Sequence, residues 1–284
     1  MREYTGEGAM SGESLAELYL LAQRIRHHSV TMTNTGKASH IGSSLSIAEL
    51  LAVIYGGVLR TDPSHPASPD RDRFVLSKGH ACAAYYAVLA ETGFFPVEWL
   101  TDFYQDGARL AGHSTHAHVP GIEVSTGSLG HGLSLATGMA LAGKRDGSAY
   151  RVFCLLSDGE CDEGSTWEAA LFASHHRLSN LCAIVDYNKI QALGNTSEVL
   201  DLEPLAAKWT AFGWRVLEVD GHSIPEIAEG LAHIPYDTGK PSCMIAHTVK
   251  GKGISFMEND LLWHYRSPQG QEYDDAMAEL EGLP

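Results

Sequence analysis

The fold is decided by residues 151–188, which read RVFCLLSDGECDEGSTWEAALFASHHRLSNLCAIVDYN. Apolar runs rich in Val, Leu and Ile open and close this stretch, at Arg151 to Leu156 and at Asn180 to Asp186. The segment between them, Glu163 to His175, is typical of a helix. Two near-continuous apolar strands joined by a helix indicate a βαβ unit in a parallel sheet that is buried on both faces.

The same alternation continues on either side of this unit. Further strands are predicted at Phe74 to Ser77, Trp214 to Val219 and Ser242 to Thr248. Further helices are predicted at Glu13 to Thr33, Ser46 to Gly57, Leu133 to Lys144, Leu202 to Phe212, Ile224 to His233 and Glu272 to Glu281. We therefore expect an α/β fold, a mostly parallel sheet with helices on both faces, forming one domain over residues 1–284. About residues 1–14 are expected to be flexible.

Charge and cysteine content argue against several classes of protein. The net charge of −15 disfavours nucleic acid as a partner, because phosphate backbones require Lys and Arg patches. The five cysteines form no CxxC pair, which is typical of buried thiols in a reducing compartment. The amino-terminal residues lack an apolar signal core, and no apolar stretch approaches membrane length. We expect a cytoplasmic protein with no membrane partner.

Two polar side chains follow neighbouring predicted strands. Asp158 and Gly159 come after the first strand of the βαβ unit, and Asn188 comes after the second. Carboxylate and carboxamide oxygens suit Mg²⁺, and Gly159 lets a diphosphate approach the backbone closely. An Asp-Gly pair after a strand is also an ordinary turn or helix cap. By spacing alone, a magnesium-diphosphate site and a simple turn both remain open.

Histidines are concentrated in glycine-rich loops. Those in such loops are His40, His80, His113, His116, His118 and His131. A single loop histidine is most often solvated or hydrogen-bonded without a catalytic role. Several gathered at one site could instead transfer protons and donate hydrogen bonds to the carbonyl and hydroxyls of a sugar.

The spacing of Asp158-Gly159 and Asn188 resembles the thiamine diphosphate motif, with Ser157 in place of its first glycine. From about Leu15 onward, the chain resembles the amino-terminal half of transketolases. The motifs that carry this resemblance are SLSIAELLAVIY, DRFVLSKGHACAAYYAVLA, GHSTH, PGIEVSTGSLGHGLS, DGECDEGSTWEAALFASHH, VDYNKIQALG and HTVKGKGISFMEND. The resemblance implies a thiamine diphosphate-binding fold, with the whole chain as its diphosphate-binding (PP-type) domain.

The resemblance also implies the cofactor site. The side chains of Asp158 and Asn188 and the main-chain carbonyl of Ile190 would hold Mg²⁺ (or Ca²⁺ or Mn²⁺). The residues beside the diphosphate and aminopyrimidine of thiamine diphosphate would be Gly127, Ser128, Leu129 and Gly159. His40 and His264 would contact the donor carbonyl and the thiazolium region of the cofactor.

Four further roles follow from the same resemblance. His80 would lie on the diphosphate side of the cofactor, and His113 would reach the first hydroxyl of the donor. Glu163 and Glu168 match glutamates near a subunit interface, which are proposed to link protons between paired active sites. By spacing alone, these two glutamates also suit a solvated helix face.

The implied function is that of the amino-terminal half of a transketolase, carried on its own chain. Such a chain helps to transfer a two-carbon ketol unit from a ketose donor to an aldose acceptor through a thiamine diphosphate adduct. In the family that the chain resembles, the glutamate that hydrogen-bonds the aminopyrimidine belongs to a further domain, which this sequence does not include. We therefore expect a second polypeptide carrying the pyrimidine-binding and carboxy-terminal domains, and a homodimer of this chain within an α2β2 assembly.

The sequence departs from the family pattern at positions that affect the expected identity of the donor sugar more than that of the cofactor. Ile41 stands where the family commonly has Pro, His131 replaces Gln, and Tyr265-Arg266 replaces Gly-Lys.

Three alternatives compete with this function. The chain could serve another thiamine enzyme, either a 1-deoxyxylulose-5-phosphate synthase or the alpha chain of a 2-oxo-acid dehydrogenase. The histidines of GHS and WHY favour a transketolase. A catalytically silent regulatory subunit is the second alternative, and the retained Asp158 and Asn188 argue against it. A dinucleotide-binding dehydrogenase is disfavoured, because no GxGxxG follows a strand.

Overall fold

The computed structural model describes residues 12–282. Its centre is a parallel sheet of five strands in the order β1-β2-β3-β7-β6, beside a two-stranded antiparallel hairpin, β4–β5. The strands are β1 Arg73–Leu76, β2 Val152–Ser157, β3 Leu181–Tyr187, β4 Ile190–Gln191, β5 Gly194–Asn195, β6 Arg215–Asp220 and β7 Ser242–His247. The predicted α/β class and parallel sheet are confirmed.

Ten α-helices occur in the described part of the chain. They are α1 Gly12–Gly36, α2 Ile41–Leu45, α3 Ala48–Val53, α4 Cys82–Glu91, α5 Gly132–Asp146, α6 Gly164–His175, α7 Thr196–Val199, α8 Leu205–Ala211, α9 Ile224–Ala232 and α10 Gln271–Glu281. Short 3-10 turns occupy Gly79–Ala81, Val97–Asp102, Gly159–Asp162 and Leu261–His264. The prediction of flexibility over about residues 1–14 lies almost wholly outside the described residues.

Apolar side chains alternate between the two faces of the sheet. Phe153 and Leu155 join the cluster that contains residues of α1, α3, α4 and α9. Cys154 and Leu156 point the other way, into the cluster formed with α5, α6 and α8. Each fully buried Leu or Phe contributes about 1.5–3 kcal/mol relative to an exposed one, so burial on both faces of β2 and β3 stabilises the sheet. Helices therefore cover both faces, as the sequence predicts.

The segment before β1 differs from the prediction. The helix predicted over Ser46 to Gly57 begins at Ala48, and a separate short helix, α2, precedes it. After Val53 that helix widens into a π turn, Ile54–Val58. A Cβ at Gly56 would lie 2.4 Å from Leu18 Cδ2, so the missing side chain gives α1 room to pack there.

Helix α8 also begins later than predicted, at Leu205 in place of Leu202. Pro204 immediately precedes it, and the residue before a proline is disfavoured in the helical region. Helix α10 packs on α1 and α2 through a third apolar cluster that includes Val30, Ile41 and Leu280. This cluster also includes Ile254, Met257 and Trp263 from the segment that leads to His264.

Candidate active site

The carboxyl ends of β2 and β3 bring Asp158 and Asn188 to one edge of the sheet. Ser157 pairs with Asp186 in the parallel register, so Asp158 and Asn188 follow neighbouring strand ends. The N–H of Lys189 donates to Asp158 Oδ2 at 2.6 Å, which ties the two loops together. Both side chains are buried, with 1% of Asp158 and 4% of Asn188 exposed. The predicted pair is therefore assembled as expected from the strand ends.

Hydrogen bonds orient all three oxygen donors predicted for the metal. Asp158 Oδ1 accepts the N–H of Gly159 at 2.7 Å, and Asn188 Oδ1 accepts the N–H of Ile190 at 3.1 Å. The carbonyl oxygen of Ile190 accepts the Lys250 ammonium at 2.7 Å. Carbonyl and carboxylate oxygens have a second lone pair, so these contacts leave each oxygen able to bind a cation.

The negative charge at Asp158 is incompletely compensated. Burial and the nearby Asp186 carboxylate raise the pKa of Asp158 to about 6, although the N–H groups of Gly159 and Lys189 oppose this rise. A carboxyl group that resists ionisation in this way is stabilised as an anion when a cation is placed beside it.

Four imidazoles from four separate segments gather near this edge. The ring centroid of His40 lies 5.1 Å from that of His80, 5.8 Å from His113 and 4.9 Å from His264. The centroids of His80 and His264 are 5.9 Å apart. The structure therefore brings together the four histidines to which the resemblance assigned roles, and we call them the imidazole cluster.

His40 is held at the centre of this cluster by its backbone. Its φ is 72°, in the left-handed region that is uncommon for a residue with a side chain, and it precedes α2 directly. The N–H of His40 donates to the carbonyl oxygen of His264 at 3.0 Å, which joins the two segments. The Nδ1 atom of His40 is buried and has no hydrogen-bond partner within residues 12–282. It is therefore available to a ligand.

The surroundings of the imidazole cluster disfavour protonation. Burial, together with His113 and Lys250, lowers the pKa of His40 to about 4. Burial and Lys250 lower the pKa of His264 to about 3, and burial and Lys78 hold the pKa of His80 well below its usual value. At neutral pH His40, His80 and His264 are therefore neutral and can both donate and accept hydrogen bonds.

Lys250 is a site residue that the sequence reasoning missed. It is 2% exposed, and its ammonium contacts His264 Nδ1 at 2.9 Å as well as the Ile190 carbonyl. Burial lowers the pKa of Lys250 to about 8, although the Asp158 carboxylate opposes this. The signal available in the sequence was its place in the KGKG loop just after the final strand, where ligands of parallel sheets lie.

The glycine-rich loop, residues 126–131, lies beside the imidazole cluster. A Cβ at Gly127 would lie 3.2 Å from His113 Cδ2, so this glycine is in close contact with that ring. Ser128 is exposed and Leu129 is partly exposed. The N–H of Gly130 donates to Glu160 Oε1 at 2.9 Å.

Glu160 is a second residue that the sequence reasoning missed. Its buried carboxylate also accepts hydrogen bonds from the hydroxyl of Ser77 and the N–H of Ser157. Burial raises the pKa of Glu160, although these hydrogen bonds oppose the rise. Glu160 thus joins the end of β2 to the loop that contains Gly127 and Gly130.

The two predicted interface glutamates lie at the start of α6 and within it. Glu163 precedes α6 directly and Glu168 lies within that helix, and both side chains are exposed. A Cβ at Gly130 would approach Glu163 Cβ to 2.8 Å, so Glu163 borders the glycine-rich loop.

Other histidines have different surroundings. His116, His118 and His131 are exposed. His222 is partly buried, and its Nδ1 lies 3.1 Å from Glu49 Oε2 while its Nε2 accepts the N–H of Val249.

Two further findings concern absences. Within residues 12–282 no group of three or more His, Cys, Asp or Glu side chains is arranged to hold a metal ion, so any cation at the Asp158 edge would rely on mixed oxygen donors. Among the helices of the described residues, none has the length and apolar character needed to cross a bilayer.

Comparison with known proteins identifies the family. The family described as "Transketolase, thiamine diphosphate binding domain" matches residues 19–276. One subunit of the apulose-4-phosphate transketolase of Phocaeicola vulgatus is 43% identical, over 93% of this chain and 93% of that protein. The 6-deoxy-6-sulfo-D-fructose transketolase subunit SqwG of Clostridium sp. is 45% identical, over 89% of this chain and 92% of that protein.

Longer relatives match over only part of their length. The transketolase structure from Campylobacter jejuni superposes with a TM-score of 0.88 at 31% identity, covering 96% of this chain and 43% of that chain. Human transketolase is 39% identical, over 89% of this chain and 40% of that protein. The chain thus spans about two fifths of the length of these longer transketolases. The chain belongs to the transketolase family of thiamine diphosphate-dependent transferases, and it corresponds to the thiamine diphosphate-binding domain of those enzymes.

Proposed function

We propose that this chain is the cofactor-binding subunit of a two-chain transketolase that moves a two-carbon ketol unit from a ketose to an aldose. The observation that carries the proposal is the imidazole cluster, His40, His80, His113 and His264, gathered beside the strand ends that present Asp158. Neutral imidazoles suit a polyhydroxylated substrate, because each can donate one hydrogen bond and accept another. The two subunit relatives are named for different sugars, so we specify the donor only as a ketose.

The residues at the Asp158 edge fit a divalent cation. Asp158, Asn188 and the carbonyl of Ile190 offer a carboxylate, a carboxamide and a main-chain oxygen, the hard donors that Mg²⁺ prefers. The raised pKa of Asp158 supports the assignment, since a cation would supply the charge compensation that this buried group lacks. We propose Mg²⁺, with Ca²⁺ or Mn²⁺ as substitutes, completed by diphosphate oxygens and water.

The backbone nearby fits the diphosphate. A Cβ at Gly159 would lie 3.1 Å from Gln191 Cβ, so a side chain there would crowd the loop beside the proposed diphosphate position. Gly127, Ser128 and Leu129 are proposed to flank the diphosphate and the aminopyrimidine. When bound, thiamine diphosphate supplies the electron sink that allows the ketose carbon–carbon bond to break and re-form.

The protein groups would orient the sugar and handle its protons. The free Nδ1 of His40 is proposed to hydrogen-bond the donor carbonyl together with His264. His113, the exposed member of the imidazole cluster, is proposed to bind the first hydroxyl of the donor, and His80 to lie on the diphosphate side. Lys250 donates to Nδ1 of His264 and helps to keep this imidazole neutral, so its Nε2–H remains to donate a hydrogen bond to the sugar.

A partner chain completes the proposal. The two relatives named as transketolase subunits are matched over almost their whole length, which supports a second chain with the pyrimidine-binding and carboxy-terminal domains. We propose an α2β2 assembly in the cytoplasm, with two copies of this chain in contact. The exposed Glu163 and Glu168 are proposed to lie at that contact.

The test is a transfer assay on the reconstituted pair. A donor ketose labelled with ¹³C at its first two carbons is incubated with an aldose, thiamine diphosphate, Mg²⁺ and both chains. The label should appear in the first two carbons of a new ketose, and only when both chains are present. Glu163→Gln should lower this transfer, whereas Glu281→Gln, an exposed change on α10, should not. Absence of transfer with every ketose tried would contradict the proposed function.

A further inference from the structure

Asp186 is a fully buried carboxylate that lies two residues before Asn188 and is not among the proposed metal ligands. Its Oδ2 atom accepts hydrogen bonds from Lys78 Nζ at 2.5 Å, Ser46 Oγ at 2.9 Å and Asn188 Nδ2 at 2.8 Å. Its Oδ1 atom accepts the hydroxyl of Thr248. The carboxylate therefore accepts four hydrogen bonds, on the buried side of the proposed metal-binding edge.

These contacts allow the Asn188 carboxamide only one orientation. The carboxylate of Asp186 can only accept, and the N–H of Ile190 can only donate. The amide nitrogen must therefore face Asp186, and the amide oxygen must face the N–H of Ile190. The oxygen of Asn188 is thus turned away from the buried carboxylate and toward the loop that carries the proposed metal ligands.

Lys78 completes the arrangement. It is buried, and its three N–H groups are used by Asp186, the Ser43 carbonyl at 3.0 Å and the Ser43 hydroxyl at 2.9 Å. Because the Lys78 ammonium and the hydroxyls of Thr248 and Ser46 all donate to Asp186, this carboxylate acts only as an acceptor.

We propose that Asp186, paired with Lys78, is a positioning residue that fixes the Asn188 carboxamide with its oxygen toward the metal. This inference rests on the proposed metal and cofactor site. It also accounts for the residue type at position 188, because an aspartate there would place two carboxylates within hydrogen-bond distance of each other.

The test measures metal affinity directly. Free Mn²⁺ is followed by electron paramagnetic resonance during titration of the full chain, with its partner chain and saturating thiamine diphosphate present. The double variant Lys78→Met/Asp186→Leu replaces the buried ion pair with apolar side chains, which proteins often tolerate. We expect it to unfold near the wild-type temperature but to bind Mn²⁺ at least about tenfold more weakly, as is typical when a partner of a metal ligand is lost.

Two single variants keep the test decisive if the double variant does not fold. Asp186→Asn keeps an acceptor oxygen for Asn188, so its Mn²⁺ affinity should stay within about threefold of the wild type and well above that of the double variant. Asn188→Asp adds negative charge at the metal-binding edge, yet it should bind Mn²⁺ more weakly because the new carboxylate faces Asp186.

The outcomes separate the two proposals. An unchanged or tighter Mn²⁺ affinity in Asn188→Asp, or a wild-type affinity in the double variant, would overturn the positioning role while leaving the cofactor site intact. Absence of Mn²⁺ binding by the wild-type protein in the presence of thiamine diphosphate would overturn the proposed cofactor site itself, and the positioning role with it.

Discussion

The Lys250 ammonium lies 2.7 Å from the carbonyl oxygen of Ile190 and 2.9 Å from Nδ1 of His264. One buried cation thus joins a proposed metal ligand to the imidazole cluster. Because a positive charge disfavours a second one nearby, Lys250 contributes to the lowered pKa of His264.

Removing this charge should make His264 easier to protonate. In Lys250→Met we expect the pKa of His264 to rise by roughly one pH unit, while staying below 6.5 because burial is the larger cause of its lowering. Imidazole ¹⁵N shifts recorded during acid titration measure the change. Lys252→Met is the matched control, since Lys252 lies in the same loop but pairs with Glu258. An equal response in both variants, or none in Lys250→Met, would refute the link.

Acid should destabilise the chain through His40 and His264. Their pKa values are about 4 and about 3 in the folded chain, against 6.5 when unperturbed. The unfolded chain therefore binds more protons as pH falls from 6.5 toward 4, and the contribution of these groups to stability decreases over that window. The midpoint of thermal unfolding should fall less steeply with pH in His40→Asn than in the wild type. His118→Asn, at an exposed position, should show the wild-type slope.

Gly79 should not accept a side chain. A Cβ there would lie 2.5 Å from the carbonyl oxygen of Thr126, where the turn before α4 meets the glycine-rich loop. Gly79→Ala should therefore lower the free energy of unfolding by about 1–3 kcal/mol, as overpacking does. Gly138→Ala is the control, because nothing lies within 4 Å of its Cβ position in α5 and alanine favours helices by about 1 kcal/mol. Equal effects of the two changes, measured by denaturant unfolding, would be incompatible with close packing at Gly79.

The sheet could be predicted from the sequence because its strands are apolar on both faces. The predicted bounds of the run from Arg151 and the run from Asn180 differ by one residue from β2 and β3. The region around α2 could not be predicted in the same way. There, the left-handed backbone of His40 and the packing of Leu18 against Gly56 depend on contacts between distant segments. Local patterns contain no information about such contacts.

Candidate site residues could be predicted from the sequence where the residue type and its position together indicate a chemical role. Asp158 and Asn188 follow predicted strand ends, and His40, His80 and His113 lie in glycine-rich stretches, so their positions in the sequence indicate a site. His264 was assigned only through the family resemblance. The sequence pattern did not single out Asp186, Glu160 or Lys250. A charged residue inside or next to an apolar strand can be assigned a role only once its partners are known. Each of them is buried and makes hydrogen bonds with residues more than a dozen positions away.

The central claim is that thiamine diphosphate binds with a divalent metal at Asp158. Its most direct test is calorimetric titration of thiamine diphosphate, with and without Mg²⁺, into this chain alone and mixed with its partner chain. We predict metal-dependent binding in the mixture that is lost in Asp158→Ala and retained in Asp162→Ala, a nearby partly exposed carboxylate. Absence of binding in both preparations, or equal binding by Asp158→Ala, would contradict the account.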